Sequence, residues 1–330
     1  PETPDPWAEI DPSGQTITFW HQQPPTRHTT LNELIWKFNS TNQWGITVLA
    51  EYQDDIKDQL QRGNNIAEAP DLVEIFQSQA ADLQQNGVFS DMTSLVESIK
   101  WGLSPQEQED FYSGSLSQDI YPTFNNARLG FPPHRSMIVL YYNTDWLAEL
   151  KAAGAIDFDG PPKNPAQFKA AACAATDIPY SRSQAEKSVG YQISIDTSSF
   201  ASWIFAHGGD IFDDGNISYN LNSEGAVSAL TFLQDLVNQG CADISAERFD
   251  DQTDFNQGIS LFAVGSSAGL PFYQSAVREN ASFNWSVTSL PHISVDPVQI
   301  ISGASLSIPK STPETELAAG LFIKYLVSSE

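Results

Sequence analysis

Val139-Leu140-Tyr141-Tyr142-Asn143 is a short apolar, aromatic-rich run that stops abruptly in Asn143-Thr144-Asp145, with Leu147 and Glu149 close behind. Such a run reads as a buried β-strand, and the Asn, Thr and Asp that end it favour turns and helix caps. A second α/β unit is expected to begin here. Downstream lie the alanine-rich segment Pro165 to Ala175 and a helix from Glu224 to Gln239, capped by Ser223 and stopped by Gly240. Ala226, Val227, Leu230, Leu233 and Val237 form its expected buried stripe. Asp210 to Asn216 reads as a plain hairpin loop, because Phe212 occupies a position where a calcium loop needs a ligand. Gly258 to Val264, Phe283 to Leu290 and Ile300 to Ile308 are strand-like. Thr312 to Val327 is an amphipathic helix with Leu317, Leu321, Phe322 and Tyr325 on one face.

Upstream, strand and helix alternate. Thr16 to Trp20 is a strand, and Thr30-Leu31-Asn32-Glu33 has the form of a capping box, followed by Leu31, Leu34, Ile35 and Phe38 along one helical face. Ile46 to Leu49 is a second strand, Ile56 and Leu60 mark a helix, Leu72 to Phe76 is a third strand, and Ser78 to Asn86 is a helix stopped by Gly87. This βαβ rhythm implies mostly parallel sheet flanked by helices.

A chain of 330 residues exceeds one ordinary core, so two lobes are expected. Hydrophobic residues make up 41%, and no apolar run approaches the roughly 18 residues of a membrane span. The start, Pro1-Glu2-Thr3-Pro4-Asp5-Pro6, has the character of an extended linker or trimmed mature terminus. With 16 basic and 41 acidic residues the formal charge is -25. That charge repels phosphate backbones and anionic headgroups, which excludes nucleic acid as a partner and favours a soluble, secreted surface. Cys173 and Cys241 are either two buried thiols or one disulfide; the disulfide implies an oxidising compartment and is the expectation carried forward.

Catalytic chemistry finds little support. Gly265-Ser266-Ser267-Ala268-Gly269 fits the G-x-S-x-G pattern after a strand. Only His292 lies downstream to complete a triad, and Pro271 interrupts the helix that should support the serine. A tight turn of small residues is the simpler reading. None of His21, His28, His134, His207 and His292 forms an i, i+4 metal pair, and two cysteines make no metal site. Carboxylate pairs such as Asp54-Asp55 and Asp213-Asp214 lie in polar stretches and read as solvated surface. No Walker loop or G-x-G-x-x-G occurs, so no cofactor is expected. Sequons at Asn39, Asn216, Asn280 and Asn284 matter only in a glycosylating host. What remains is a set of aromatic and polar residues at strand ends: Phe19-Trp20-His21, Tyr52, Phe76-Gln77 and Trp203. Ligands of open α/β sheets bind beyond the carboxyl ends of strands, and aromatic faces with hydrogen-bonding rims suit sugars.

Six segments, in order, carry a family resemblance: Ile17-Thr18-Phe19-Trp20-His21, Pro70-Asp71-Leu72-Val73-Glu74, Val139 to Asn143, Phe205 to Asp210, Phe232-Leu233-Gln234-Asp235-Leu236 and Ile301-Ser302-Gly303-Ala304-Ser305. From about Ile17 onward the chain resembles the extracellular solute-binding proteins of ABC importers, of the maltose-binding and glycerol-3-phosphate-binding type (family 1). Pro133 and His134 depart from the pattern, standing where the family prefers a small apolar and then a small polar residue.

The resemblance implies a two-lobed periplasmic-binding-protein fold of type II, each lobe a mostly parallel sheet flanked by helices, joined by a hinge. The expected lobes are 10–132 plus 259–311, and 133–258 plus 312–330, the second incomplete at its C-terminus because such proteins continue past the helix ending near Val327. It further implies a monomer outside the cell or in the periplasm, secreted or else lipid-anchored, that captures a carbohydrate or glycerol-phosphate solute in an interlobe cleft by hinge closure and delivers it to a membrane permease. Ligand contacts carried over residue by residue are Tyr52, Gln77, Ser136, Trp203, Ser267 and Gly303, with Trp20, His21, Arg135 and Ser305 beside them. Gln77 replaces a glutamate and Arg135 a serine, and Arg135 is suited equally to pair with a phosphate, to donate to a sugar hydroxyl, or to lie on the surface. The competing classes are a serine hydrolase using Ser267, a glycoside hydrolase, and a carbohydrate-binding sensor or adhesin.

Overall fold

The structure, a computed structural model, describes residues 4–62, 69–213, 215, 218–247, 249–279 and 283–328. The sequons at Asn216 and Asn280, Asp214 of the expected surface pair, and the chain end at Glu330 lie outside the described residues. The chain divides into two units, Pro1–Arg135 with Gly303–Glu330, and Ser136–Ser302.

The first unit opens with β1 (Thr16–His21), α1 (Pro25–Thr41), β2 (Thr47–Tyr52), α2 (Ile56–Arg62), β3 (Leu72–Ile75) and α3 (Gln77–Gln84). Along β1, Ile17, Phe19 and His21 turn inward while Thr16 is exposed, the alternation a pleated strand imposes. All four residues of β3 are buried, as befits a strand with a neighbour on each side. The helix expected to start at the Thr30 box begins five residues earlier. Pro25 sits in its first turn, where the missing N–H costs nothing, and Thr30 falls in mid-helix. Three short helices follow, α4 (Thr93–Val96), α5 (Pro105–Glu109) and α6 (Ser113–Ser117), then the small pair β4 (Ile120–Tyr121) and β5 (Ala127–Arg128).

The second unit begins with β6 (Ser136–Asn143), buried from Ile138 onward. Asn143 ends it and caps α7 (Thr144–Ala152), its side chain accepting the Trp146 N–H at 2.9 Å. Then come α8 (Pro165–Asp177), β7 (Val189–Ile193), α9 (Thr197–Ala206), the pair β8 (Phe212–Asp213) and β9 (Ser218–Tyr219), α10 (Glu224–Asn238), β10 (Ala242–Ile244), α11 (Asp250–Asn256), β11 (Ser260–Ser266), α12 (Leu270–Glu279), β12 (Trp285–Thr288) and β13 (Ile301–Ser302). The sheet order is β10-β7-β11-β6-β12, with β13 also on β6. Only β7, β10 and β11 run parallel; β6 is antiparallel to β11, β12 and β13, so this sheet is mixed rather than mostly parallel. Phe262, Tyr141, Trp146 and Phe168 fill its core, each stabilising by about 1.5–3 kcal/mol on burial. Gly190 lets α8 lie directly on β7, since a Cβ there would stand 2.0 Å from the Ala172 carbonyl oxygen. Cys173 and Cys241 form a disulfide tying α8 to the start of β10. On α10 the expected stripe is rotated: Ala226, Ala229 and Leu236 are buried, whereas Val227 and Leu230 are half exposed.

The chain then returns to the first unit as β14 (Ser305–Ser307), antiparallel to β3, and α13 (Pro313–Val327), giving the sheet order β14-β3-β1-β2. The stretch 300–308 is thus two strands in different units, broken at Gly303. Its φ of +149° lies in the region that favours glycine, and a Cβ would stand 3.1 Å from the His134 carbonyl oxygen. The boundaries differ from the expected ones accordingly. Residues 260–302 belong to the second unit because β11, β12 and β13 hydrogen-bond to its strands, and α13 belongs to the first because Leu317, Leu321 and Phe322 join Ile17, Phe19 and Phe38 in one core.

Candidate functional site

In the first unit, the parallel strands β1, β2 and β3 end together at His21, Tyr52 and Ile75, and β14 begins alongside. Trp20 is held by its indole N–H, which donates to Glu51 Oε2 at 3.0 Å across the β1–β2 register. Tyr52 is 48% exposed and Phe76, just past β3, is 44% exposed. These rings give the strand edge an apolar, flat-faced component. His21 is buried instead, with its ring centroid 6.1 Å from Tyr52 and 5.4 Å from His28. Its Nδ1 accepts the Gln23 backbone N–H at 3.2 Å, which places the proton of the neutral ring on Nε2. Burial, and then the nearby His28, hold its pKa below the usual histidine value.

The loop after β1 is organised around Glu74 of β3. That buried carboxylate accepts the Gln22 N–H at 3.2 Å and the Gln23 side-chain amide, and burial raises its pKa above the usual carboxylate range. Gln23 also takes Arg27 Nη1 on its amide oxygen at 3.5 Å, and its carbonyl meets His28 Nε2 at 2.6 Å. Phe19, Arg27, Leu31, Glu74 and Leu326 are among the residues lining a neighbouring cavity of about 420 Å³.

Three expected contacts, Gln77, Gly303 and Ser305, join Arg135 in a hydrogen-bonded network with Asp119, which sequence reasoning did not single out. Arg135 Nη2 donates to Asp119 Oδ2 at 2.9 Å and to Ser305 Oγ at 2.8 Å. Its Nη1 reaches the carbonyls of Gly303 and Ala304, and Nε–H donates to Gln118 Oε1 at 2.8 Å. Ser305 Oγ donates to Asp119 Oδ1 at 2.6 Å and accepts Gln77 Nε2 at 2.8 Å. Burial raises the Asp119 pKa, opposed by the Ser305 hydrogen bond and the Arg135 charge. Asp119 carries no motif, and only the fold brings it from the segment before β4 to this place.

The second unit holds the other three. Ser136 Oγ donates to the Ser302 carbonyl at 3.2 Å, beside the paired residues where the chain enters and leaves the unit. Ser267 follows β11 in a short turn that leads into α12, the order a nucleophile elbow needs. Its hydroxyl instead accepts the Met137 N–H at 3.0 Å, and among the described residues no histidine bonds to it. Trp203 is 1% exposed, its indole N–H donating to Tyr191 OH at 3.2 Å, so it packs the core and offers no face to a solute. Phe249, five residues past the end of β10 and at the N-cap of α11, is 56% exposed. Its φ of +73° is a rare conformation for so bulky a side chain, the kind of local strain that clusters at functional sites. A single Phe in the polar run Ala246 to Asp251 was the only sequence signal for it.

Among the described residues no group of three or more His, Cys, Asp or Glu is placed to hold a metal ion, and no helix is long and apolar enough to cross a membrane. A family model described as bacterial extracellular solute-binding protein matches residues 33–330. No curated protein matches the chain. Among solved structures, the GacH receptor of Streptomyces glaucescens GLA.O, known unliganded and with acarbose, has a TM-score of 0.73 at 19% identity, over 94% of this chain and 75% of that one. UgpB from Mycobacterium tuberculosis, in complex with glycerophosphocholine, has a TM-score of 0.72 at 21% identity, over 95% and 77%. An ABC transporter solute-binding protein from Agrobacterium radiobacter K84, in complex with ribitol, has a TM-score of 0.70 at 23% identity, over 96% and 77%. At these identities the likeness establishes a shared two-lobed binding-protein fold.

Proposed function

Because the chain belongs to the bacterial extracellular solute-binding proteins, we propose that it is the substrate-binding subunit of an ABC importer for a hydroxyl-rich solute, a sugar or polyol. It captures that solute and hands it on unaltered to a membrane permease. The observation that carries the choice of solute is the strand edge of the first unit. There Trp20, Tyr52 and Phe76 supply ring faces, while Glu51 and the amide oxygen of Gln77 supply hydrogen-bond acceptors beside them. Sugars pair an apolar ring face with a rim of hydroxyls, and that pattern complements such an edge. In the second unit Phe249 and Ser136 are the counterparts in this reading.

Capture by hinge closure belongs to the same reading. The chain passes between the units twice, after Arg135 and after Ser302, and Ser136 and Ser302 on the two passages are paired in register. Two adjacent connections permit rotation about one line, and a solute that contacts both units shifts the population toward the closed form. The protein acts as a monomer, held at the outer face of the membrane by a lipid tether.

Intrinsic tryptophan fluorescence tests the reading. Maltotriose, tagatose, ribitol and related sugars and polyols are titrated into the wild-type chain and into Trp20→Ala and Tyr52→Ala. A saturable change with at least one solute, weakened about tenfold or more in both variants, is expected, a loss of about 1.4 kcal/mol for each aromatic platform removed. Equal affinity in wild type and both variants removes the strand edge from the site. For the serine-hydrolase alternative, Ser267→Ala is the discriminating variant: a hydrolase loses turnover by orders of magnitude, and a receptor has none to lose.

A further inference from the structure

We propose that Arg135 is a positioning residue that fixes Gly303, Ser305 and Gln77 at the strand edge, and that this edge accordingly accepts an uncharged solute and rejects phosphate esters. The inference rests on the reading of the chain as a solute receptor and narrows its ligand. A guanidinium reads phosphate through a free fork of parallel N–H groups. In Arg135 that fork is closed. Every one of its nitrogens has an acceptor within the unit: Gln118 Oε1 for Nε, the His134, Gly303 and Ala304 carbonyls for Nη1, and Asp119 Oδ2 with Ser305 Oγ for Nη2.

The side chains of Arg135 and Asp119 are only 6% and 1% exposed. Turning Arg135 outward leaves Asp119 buried without its cation, a strongly unfavourable state. Ser305 is closed in the same way, donating to Asp119 while accepting from both Arg135 and Gln77. The network therefore orders the backbone of 303–305 and holds the Gln77 amide N–H₂ inward. Among the described residues Gln77 Oε1 carries no hydrogen bond, and it is an acceptor. Carboxylates predominate around the edge, with Glu51 on the Trp20 indole, Asp54 near Tyr52 and Glu74 beneath the loop, and Arg27 is the cation among them. Arg27 lines the same cavity as Glu74, with its Nη1 directed at the Gln23 amide oxygen that shares the loop. Acceptors and carboxylates suit hydroxyl donors and repel a phosphate dianion.

The test is calorimetric titration of the full chain and of Arg135→Lys, Asp119→Asn and the double variant. The neutral probes are maltotriose, tagatose and ribitol; the dianionic phosphate probes are sn-glycerol 3-phosphate and ribitol 5-phosphate. Wild type is expected to bind a neutral probe about a hundredfold more tightly than either phosphate probe, a gap of two factors of ten in affinity. Each single variant is expected to weaken neutral binding about tenfold or more, and the double variant to lose little beyond either single, as coupled positions do.

Tight binding of a phosphate probe that Asp119→Asn strengthens overturns the proposal, because that is how a phosphate-reading arginine responds to release from its carboxylate. If no probe binds, the receptor reading fails for this panel, and the Arg135 Nε–H exchange rate in ¹⁵N-labelled wild type decides the positioning role alone. Slow exchange supports the closed network, and fast exchange at the rate of a solvated guanidinium refutes it. This last readout needs no variant to fold.

Discussion

Breaking the Cys173–Cys241 disulfide is expected to destabilise the second unit and leave the first untouched. Cys173 lies on α8 and Cys241 immediately precedes β10; both elements flank β7, which α8 covers and β10 pairs with. The bridge spans 68 residues of sequence, all within Ser136–Ser302. In the chain-entropy account, releasing a loop of that length returns about 15 cal/mol/K to the unfolded chain, or about 4.4 kcal/mol at 25 °C. The folded unit keeps its own contacts: Gly190 still seats α8 on the strand, and Cys241 is already buried. For a domain of this size each kcal/mol moves Tm by about 2–4 °C, so the transition should fall by roughly 9–18 °C. Differential scanning calorimetry of the oxidised protein, the reduced protein and Cys173→Ser/Cys241→Ser measures the shift. Amide hydrogen exchange locates it, with faster exchange in α8, β7 and β10 and unchanged protection in β1 to β3. A fall of less than about 3 °C, or an equal loss of protection in β1 to β3, refutes the reasoning, since the entropy term acts only within the closed loop.

Three further outcomes follow from particular residues. Burial raises the folded-state pKa of Glu74, Asp119 and Asp251 above the ordinary carboxylate values. The folded form therefore holds protons that the unfolded chain gives up as pH rises, so the ionisation of these carboxyls costs stability at higher pH; Glu74→Gln, which cannot ionise, should remove part of that pH dependence of Tm, and a profile identical to wild type contradicts it. Gly303→Ala forces an L side chain into φ +149° and sets a Cβ against the His134 carbonyl, so the first unit should lose about 1–3 kcal/mol by urea unfolding. A variant as stable as wild type would mean that the break between β13 and β14 does not need glycine. Thr312→Ala removes the oxygen that accepts the Thr315 N–H at the start of α13, and should cost the first unit about 1 kcal/mol. A loss confined to the second unit would return α13 to the lobe first expected for it.

The βαβ rhythm of the first half was legible because period-two strands and capped helices are local patterns: β1, β2 and β3 appear where Ile17, Val48 and Val73 place them. The family model matches residues 33–330, which take in five of the six ordered segments that carried the resemblance and leave out Ile17 to His21. Errors arose where a distant partner decides. Val227 and Leu230 fit a buried stripe as well as Ala229 and Leu236 do, but Gly225 meets the Gly209 backbone, and this contact sets the rotation of α10. Residues 300–308 looked like one strand because a φ value is invisible in composition. The same holds for the lobe boundary, since which sheet β11 and β12 join is a matter of pairing alone. At the site, sequence brought out the aromatic strand ends but misplaced Trp203, whose neighbours Phe168 and Tyr191 bury it. Arg135 was read as a ligand contact, suited to a phosphate or a sugar hydroxyl; its carboxylate partner, Asp119, lies sixteen residues away with no motif to mark it.

The central claim is that this chain binds a neutral, hydroxyl-rich solute and returns it unchanged. Isothermal titration calorimetry with a broad panel of sugars and polyols, followed by chemical analysis of the solute recovered from the cell, tests it most directly. Saturable one-to-one binding of at least one neutral member is expected, with that solute recovered intact. Heat that continues after saturation with the solute consumed, or exclusive binding of phosphorylated members, would contradict it.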